Sequence, residues 1–245
     1  AAQIPIQGDA GAVLDRLVEG ALRQSNWKEK PWVERLRQSR KTTDARQKDE
    51  NSDGTPIHPL RLVKEVREAV NPEVVWIIDG GDFAQFCRLG LPARKPGHWV
   101  RLGPLGTVGA AIPFGIAAKL AKPDAPVVVL TGDGGMAFHS WEIHTALRFN
   151  VPIVVVVGND CGWGMERELQ SAFYDRTIGV ELGRLRYDKV IEGMGGHGEH
   201  VERPEELRPA LERALKAGKA ACVNVMIQGV ASPFTLANIA RAKKN

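Results

Sequence analysis

The chain has 245 residues, of which 43% are hydrophobic and 25% are charged, a composition typical of a globular α/β protein with one large domain plus a fragment. The net charge of +4 is spread along the sequence and does not form a basic block with interleaved aromatic residues, which disfavours a nucleic-acid-binding protein. The three cysteines lack CxxC spacing, which disfavours a disulfide framework or a structural zinc site and favours a reducing cytoplasm. No apolar run approaches the roughly 20 residues of a transmembrane helix, and no signal-peptide pattern is present, so we predict no membrane partner.

Two segments precede the main domain that the sequence predicts. Residues 1–23 contain a short strand end and then an amphipathic helix, with Asp9 as its N-cap. Residues 24–58 are polar and heavily charged, which predicts a linker with one helical section. Residues 59–230 have the pattern of one large domain, and residues 231–245 are predicted to form a C-terminal tail.

Helical and strand patterns alternate throughout the large domain. We predict helices at 60–70, 82–90, 108–121, 139–150, 187–195 and 204–218, strands at 74–81, 98–103, 125–135, 151–160, 198–202 and 220–227, and a loop after residue 160. Strands such as "PVVVL" and "PIVVVV" are apolar on both faces, which is typical of a parallel sheet buried between helix layers. We therefore predict a doubly wound α/β domain with a six-stranded, mainly parallel sheet.

Three glycine-rich loops follow strands of this predicted sheet: "DGGD" at 79–82, "GDGG" at 132–135 and "GNDCGWG" at 158–164. In such sheets ligands bind beyond the carboxyl ends of the strands, so the loops should meet at one edge. Glycines let a backbone approach a phosphate closely, but Asp133 would repel a phosphate unless a cation lay between them. Mg²⁺ is the usual bridge between carboxylates and phosphate oxygens, so Asp133 and Asp160 predict a metal and a diphosphate.

These segments resemble the thiamine diphosphate-dependent enzymes, a family that includes acetohydroxyacid synthase and 2-hydroxyacyl-CoA lyase. "GDGG" followed by "ND" is similar to the family signature, in which GDG is followed, after a helix and a strand, by NN. "GPLGTVGAAIPFG" is similar to the loop that contacts the coenzyme's pyrimidine, and "WGMERELQ" to the segment after the second metal ligand. "GDAGAVLDRLVEGAL" resembles the last β-α unit of the family's middle domain. The resemblance implies that residues 1–23 end a middle domain and that residues 59–230 form the thiamine diphosphate-binding fold.

The resemblance also implies roles for individual residues. Asp133 and Asp160 would bind Mg²⁺ through their side chains, and Gly162 through its carbonyl oxygen. The family usually has Asn where this chain has Asp160, but an oxygen ligand of either kind suits Mg²⁺. The other residues that the resemblance places along the coenzyme are Asp82, Phe83, Gly132, Gly134, Gly135, Gly164 and Met165.

Two residues of "PLGTVG" would act on the reacting end of the coenzyme. The family places a bulky apolar residue, here Val108, under a coenzyme bent into a V shape. The Val108 N–H would donate to the pyrimidine ring, and the Gly106 carbonyl would accept from its 4′-amino group. Without the flanking signature, the same stretch would be interpreted as a buried helix of small residues.

The resemblance implies carbon–carbon bond formation or cleavage next to a carbonyl, through a carbanion that the coenzyme stabilises. The activating Glu of the family lies on a pyrimidine-binding domain that this sequence lacks, so we expect a partner chain, or the rest of a longer oligomeric chain, to supply it. Substrates would be a small 2-oxoacid, an aldehyde or a ketone for an acetolactate synthase-like enzyme. A 2-hydroxyacyl-CoA is the alternative, because the tail ends in basic residues, and a non-catalytic regulatory module is a second alternative.

Other polar residues are weaker candidates. His197, Glu199 and His200 lack a helix that would orient both imidazoles toward a metal. Cys161 would need a depressed pKa to act as a nucleophile. Glu142 is better explained by a structural role than by a catalytic one.

Overall fold

The computed structural model describes residues 3–24, 31–41 and 48–244. The chain divides into two units, Ala1–Ala45 and Arg46–Asn245. The first unit contains helices α1 (Ala10–Leu22) and α2 (Pro31–Lys41). Asp9 caps α1 as predicted, because its side chain accepts the Ala12 N–H at 3.0 Å. Residues 4–6 are irregular, so the predicted strand end is wrong.

The second unit is built on a six-stranded sheet in which every pairing is parallel. Its strands are β1 (Val75–Ile78), β2 (Trp99–Arg101), β3 (Val127–Gly132), β4 (Val154–Asn159), β5 (His197–Val201) and β6 (Ala221–Met226), in the spatial order β2-β1-β3-β4-β6-β5. The predicted fold class is therefore confirmed. Gly132 of β3 pairs with Gly158 of β4, so Asp133 and Asp160 leave the sheet at the same edge.

Helices cover both faces of this sheet. They are α3 (Pro59–Ala69), α4 (Gly81–Gly90), α5 (Ala111–Ala121), α6 (Asp133–His139), α7 (Glu142–Arg148), α8 (Gly164–Tyr174), α9 (Tyr187–Gly193), α10 (Pro204–Lys216) and α11 (Pro233–Ala242). Each face of the sheet has its own hydrophobic core, and successive strand residues point into opposite cores. Val128 packs with α3, α4 and α10, whereas Val129 packs with α5, α7 and α9. The four central strands β1, β3, β4 and β6 are thus buried on both faces, as their apolar sequences require, whereas the edge strands β2 and β5 are mostly half-buried.

Three helical predictions differ from the structure. The predicted helix at 139–150 is shorter and corresponds to α7. The predicted strand at 125–135 ends at Gly132, because α6 starts at Asp133. The predicted loop after residue 160 contains α8, and the predicted tail contains α11. In the described residues, no helix is both long enough and apolar enough to cross a bilayer.

Candidate functional site

A cleft opens at the carboxyl edge of the sheet, where the loops after β1, β3 and β4 meet. The predicted site residues that line it are Asp82, Phe83, Val108, Gly132, Asp133, Gly134, Gly135, Asp160, Gly162, Gly164 and Met165. The remaining predicted residue, Gly106, lies outside the cleft in an exposed turn, where its N–H donates to the Gly103 carbonyl at 3.4 Å. Phe86, Trp163, Ile227 and Val230 add apolar surface to the cleft wall.

A pair of acidic side chains lies at the floor of the cleft. Asp133 is 2% exposed, and its Oδ1 accepts the Gly134 N–H at 3.0 Å. Its Oδ2 is buried without a hydrogen-bond partner among the described residues. Burial, and then the negative charge of Asp160, raise the pKa of Asp133 above its ordinary range. A divalent cation would relieve the repulsion and coordinate the unpaired oxygen, so these residues fit a metal with oxygen ligands.

The backbone around Asp133 is held by a side chain from α9. Tyr187, at the start of α9, is buried and donates its hydroxyl to the Asp133 carbonyl at 2.9 Å. Burial raises the pKa of Tyr187, so its hydroxyl keeps its proton and remains a donor. This contact fixes the first residue of α6 in the cleft.

The loop that follows Asp160 is braced by a distant segment. The Trp163 N–H donates to the Val180 carbonyl at 2.8 Å, and the Leu182 N–H donates to the Cys161 carbonyl at 2.9 Å. Cys161 has a positive φ of 62°, a conformation that a non-glycine residue rarely adopts. Burial and the charge of Asp133 raise the pKa of Cys161, which opposes a role as a nucleophile.

Two glycines at strand ends are required by close aromatic contacts. A Cβ on Gly134 would lie 2.8 Å from the Trp163 ring, and a Cβ on Gly158 would lie 2.7 Å from the Phe83 ring. Neither distance leaves room for a methyl group. Both rings line the cleft, so each ring can keep its place only while its neighbour is a glycine.

The loop that carries Val108 is fixed at its neighbour, Gly109. The Gly109 N–H donates to Asp79 Oδ1 at 2.8 Å, and a ring nitrogen of His139 contacts the Gly109 carbonyl at 3.0 Å. Asp79 Oδ2 also accepts the Thr131 hydroxyl at 3.0 Å. Asp79 therefore joins the ends of β1 and β3 to this loop and keeps Val108 at the cleft.

Asp82 uses its carboxylate in a way that the sequence did not indicate. Its Oδ1 accepts the Thr235 hydroxyl at 2.6 Å and the Ser232 N–H at 3.2 Å, which anchors the start of α11. Its Oδ2 is buried and unpaired within the described part of the chain. The C-terminal segment is thus attached to the loop after β1.

A protein-family model described as "Thiamine pyrophosphate enzyme, C-terminal TPP binding domain" matches residues 79–225, a range that contains all three strand-end loops. The chain belongs to the thiamine pyrophosphate enzymes. Thiamine pyrophosphate and thiamine diphosphate are two names for the same coenzyme. The family match therefore confirms the resemblance seen in the sequence.

Individual thiamine pyrophosphate enzymes and related proteins share much of the chain. A probable acetolactate synthase of Mycobacterium bovis is 39% identical over 80% of this chain and 36% of its own length. A 2-hydroxyacyl-CoA lyase 2 of Bos taurus is 31% identical over 92% of this chain and 36% of its own length. This chain therefore spans only 36% of the length of either relative. A solved 4-hydroxybenzoylformate decarboxylase of Rhodococcus jostii shares the fold, with a TM-score of 0.68 over 72% of this chain and 34% of its own, at 22% identity.

The sequence did not indicate several residues that hold the loops of the cleft in place. Arg167 lies 3.4 Å from Asp160, and Tyr187, Asp79 and Asn159 hold the loops in place. Asn159 is fully buried and accepts the Cys161 N–H at 3.1 Å, so it shapes the loop from inside. The first Asp of "DGGD", placed directly after a buried strand, was the one available signal for Asp79.

The histidine-rich strand has a structural explanation. Glu199 accepts two hydrogen bonds from Arg213, at 2.8 and 2.7 Å, and contacts His197 at 2.8 Å. His200 contacts Glu202 at 3.1 Å. The Glu199–Arg213 ion pair ties β5 to α10, and the two histidine contacts are local to β5 and its end.

Proposed function

We propose that this chain forms the diphosphate-binding part of a thiamine diphosphate- and Mg²⁺-dependent lyase or carboligase that resembles acetolactate synthase. The observation that carries the proposal is the pair of Asp133, which is buried and has one unpaired carboxylate oxygen, and Asp160, which is half-buried, in a glycine-lined cleft at the strand ends. A cation site beside backbone that can approach closely suits a diphosphate bridged to a metal. Free Cys87, Cys161 and Cys222 are consistent with a reducing cytoplasm.

The metal would be held by the side chains of Asp133 and Asp160 and by the carbonyl of Gly162. The diphosphate would lie along the backbone of Gly134, Gly135 and the first turn of α8, whose residues Gly164 and Met165 line the cleft. The first N–H groups of an eleven-residue helix have no partners within it and attract anions. Asp82 and Phe83 would close the opposite wall.

The coenzyme would stabilise the negative charge that develops on the carbonyl carbon of the substrate when a carbon–carbon bond is broken or formed there. The chain's own contribution is orientation and exclusion of water. Val108 lies on the loop that Asp79 and His139 clamp at Gly109, so its backbone N–H and apolar side chain are held at the cleft. Phe83 and Trp163 line the cleft, and the Gly106 carbonyl, on the same loop as Val108, would accept from the 4′-amino group of the coenzyme.

A second domain is part of the proposal. Leu105 is 89% exposed and Phe138 is 59% exposed, and Phe138 also packs edge-on against the cleft residue Trp163, with ring centroids 5.9 Å apart. Exposed apolar side chains beside a binding cleft favour contact with a second protein surface that would cover them. The glutamate that lines the cleft in the described chain, Glu166, lies in the first turn of α8, on the metal-loop side. The activating glutamate would therefore come from a pyrimidine-binding domain of a partner chain or of a longer oligomeric chain.

Reconstitution tests this proposal. The chain alone should show negligible turnover of 2-oxoacids, and addition of a chain with a pyrimidine-binding domain should restore it. A Glu→Gln change in that partner should preserve assembly and coenzyme binding but remove turnover. Full turnover by the isolated chain would contradict the proposal, because one of its own residues would then activate the coenzyme.

The alternative substrate is a 2-hydroxyacyl-CoA. It is favoured by the match to a 2-hydroxyacyl-CoA lyase over 92% of the chain, and by the basic end of α11, where Arg241 is followed by Lys243 and Lys244. Product analysis on the reconstituted complex separates the two: acetolactate from pyruvate, or an aldehyde and a formyl thioester from the acyl-CoA. A complex that binds coenzyme but turns over neither substrate would favour the non-catalytic module.

A further inference from the structure

Arg167 lies against the residue at which this chain departs from its family. Its Nη1 is 3.4 Å from Asp160 Oδ2, and its Nη2 is 3.5 Å from the Asp160 carbonyl oxygen. The pair is largely shielded, since the Arg167 side chain is 22% exposed and that of Asp160 is 13% exposed.

The surrounding backbone has space for this guanidinium only because it lacks side chains. A Cβ on Gly162 would lie 1.9 Å from Arg167 Nη2, and a Cβ on Gly229 would lie 2.8 Å from Nη1. Glu181 holds the group from outside, with contacts of 2.9 Å to Nε and 3.3 Å to Nη2. Arg167 is therefore packed into a fitted groove beside the loop that would present the Gly162 carbonyl.

The charges explain why such a group is needed here. The family pattern offers the metal one carboxylate and one amide, whereas this chain offers two carboxylates next to an anionic diphosphate. An added carboxylate without a counter-charge would repel the diphosphate. One guanidinium offsets the added negative charge of Asp160, while its other partner, Glu181, is 67% exposed and screened by solvent.

We infer that Arg167 is a positioning and charge-compensating residue that allows Asp160 to replace the family's Asn as a metal ligand. This inference rests on the proposed function, and it assigns Arg167 no contact with substrate. Its specific consequence is that Arg167 matters for coenzyme binding only while residue 160 carries a negative charge.

A double-mutant cycle tests this dependence, with thiamine diphosphate titrated calorimetrically in Mg²⁺ into the complex of this chain with its pyrimidine-binding partner. Arg167→Gln should weaken coenzyme binding about tenfold, because it leaves a partly buried carboxylate uncompensated. In an Asp160→Asn background, which should itself bind at least as tightly as wild type, the same change should cost less than about twofold. Equal losses in both backgrounds would overturn the inference and make Arg167 a simple brace of the loop.

Two further variants distinguish the effect of the Arg167 charge from the effect of its contacts on the position of the loop. Arg167→Lys keeps the charge but loses the forked contact with Glu181, so affinity should stay within about threefold of wild type. A tenfold loss in Arg167→Lys would overturn the inference, and this variant remains informative even if Arg167→Gln does not fold. Glu181→Gln leaves the Arg167–Asp160 pair in place, so it should also bind within about threefold of wild type. If wild type itself shows no Mg²⁺-dependent coenzyme binding, the proposed function fails, and the inference with it.

Discussion

Asp79 Oδ1 accepts the Gly109 N–H at 2.8 Å, and this bond links the end of β1 to the loop in front of α5. Both groups are buried, and the Thr131 hydroxyl donates to the other oxygen of Asp79 at 3.0 Å. Three parts of the cleft therefore depend on one carboxylate. The residue has no place in the family signature from which the sequence analysis identified the site.

The stability contributed by Asp79 should depend on pH. Burial raises its pKa, and the hydrogen bonds from Gly109, Gly80 and Thr131 offset this only in part. The folded chain therefore holds the Asp79 proton more tightly than the unfolded chain does. Its contribution to the free energy of unfolding should be fully present below the ordinary pKa of about 4 and be lost as the pH rises through the higher folded-state pKa.

The test compares urea unfolding of wild type and Asp79→Asn at a series of pH values. The wild-type free energy of unfolding, minus that of the variant, should fall as the pH rises from about 4 toward neutrality. Asn keeps an oxygen that can accept from Gly109, so the loop should remain in place. Profiles that stay parallel across this range would contradict the assignment.

Tyr187→Phe should lower the free energy of unfolding by about 1 kcal/mol, because it leaves the buried Asp133 carbonyl without its donor. The chain has only one other tyrosine, Tyr174, which is 71% exposed and serves as a matched control. Tyr174→Phe should change stability by less than about 0.5 kcal/mol. Equal effects of the two changes, measured by urea unfolding, would count against a specific role for the Tyr187 hydroxyl.

Gly134→Ala should destabilise the chain by about 2 kcal/mol, because the new methyl group would overlap the Trp163 ring. Trp163→Ala should relieve this clash, so the two changes together should cost less than the sum of their separate costs. Gly193→Ala is the control: it lies in α9, with no atom within 4 Å of the added Cβ, and should be neutral or slightly stabilising. Additive costs of Gly134→Ala and Trp163→Ala would show that the ring does not exclude a side chain there.

The sheet and the edge at which its strand-end loops meet were predictable because their signals are local. Runs such as "PIVVVV" carry enough apolar residues to predict a buried parallel strand, and the topology of such sheets brings strand ends together. The start of α6 at Asp133 was missed because two glycines disfavour a helix. Here the Trp163 ring and the Asp79 carboxylate lie where side chains on Gly134 and Gly135 would be, so tertiary contacts override local propensity.

The contacts that fix the site were not predictable, because they join residues far apart in the sequence. Asp82 and Thr235 are hydrogen-bonded across 153 positions, and no periodic pattern reports such a pairing. The contacts of Arg167 could not be predicted for a related reason, since its partners Asp160 and Glu181 lie outside the helices and the strands of the sheet. A family signature identifies ligands but not the residues that hold them.

We propose that Asp133 binds a metal that holds the coenzyme's diphosphate, and calorimetric titration of thiamine diphosphate tests this role most directly. In complex with its pyrimidine-binding partner, wild type should bind the coenzyme only when Mg²⁺ is present, and Asp133→Ala should abolish this binding. Asp124→Ala, at an exposed position before β3 and thus at the opposite edge of the sheet, should bind as wild type does. Undiminished, Mg²⁺-dependent affinity in a folded Asp133→Ala variant would contradict the account.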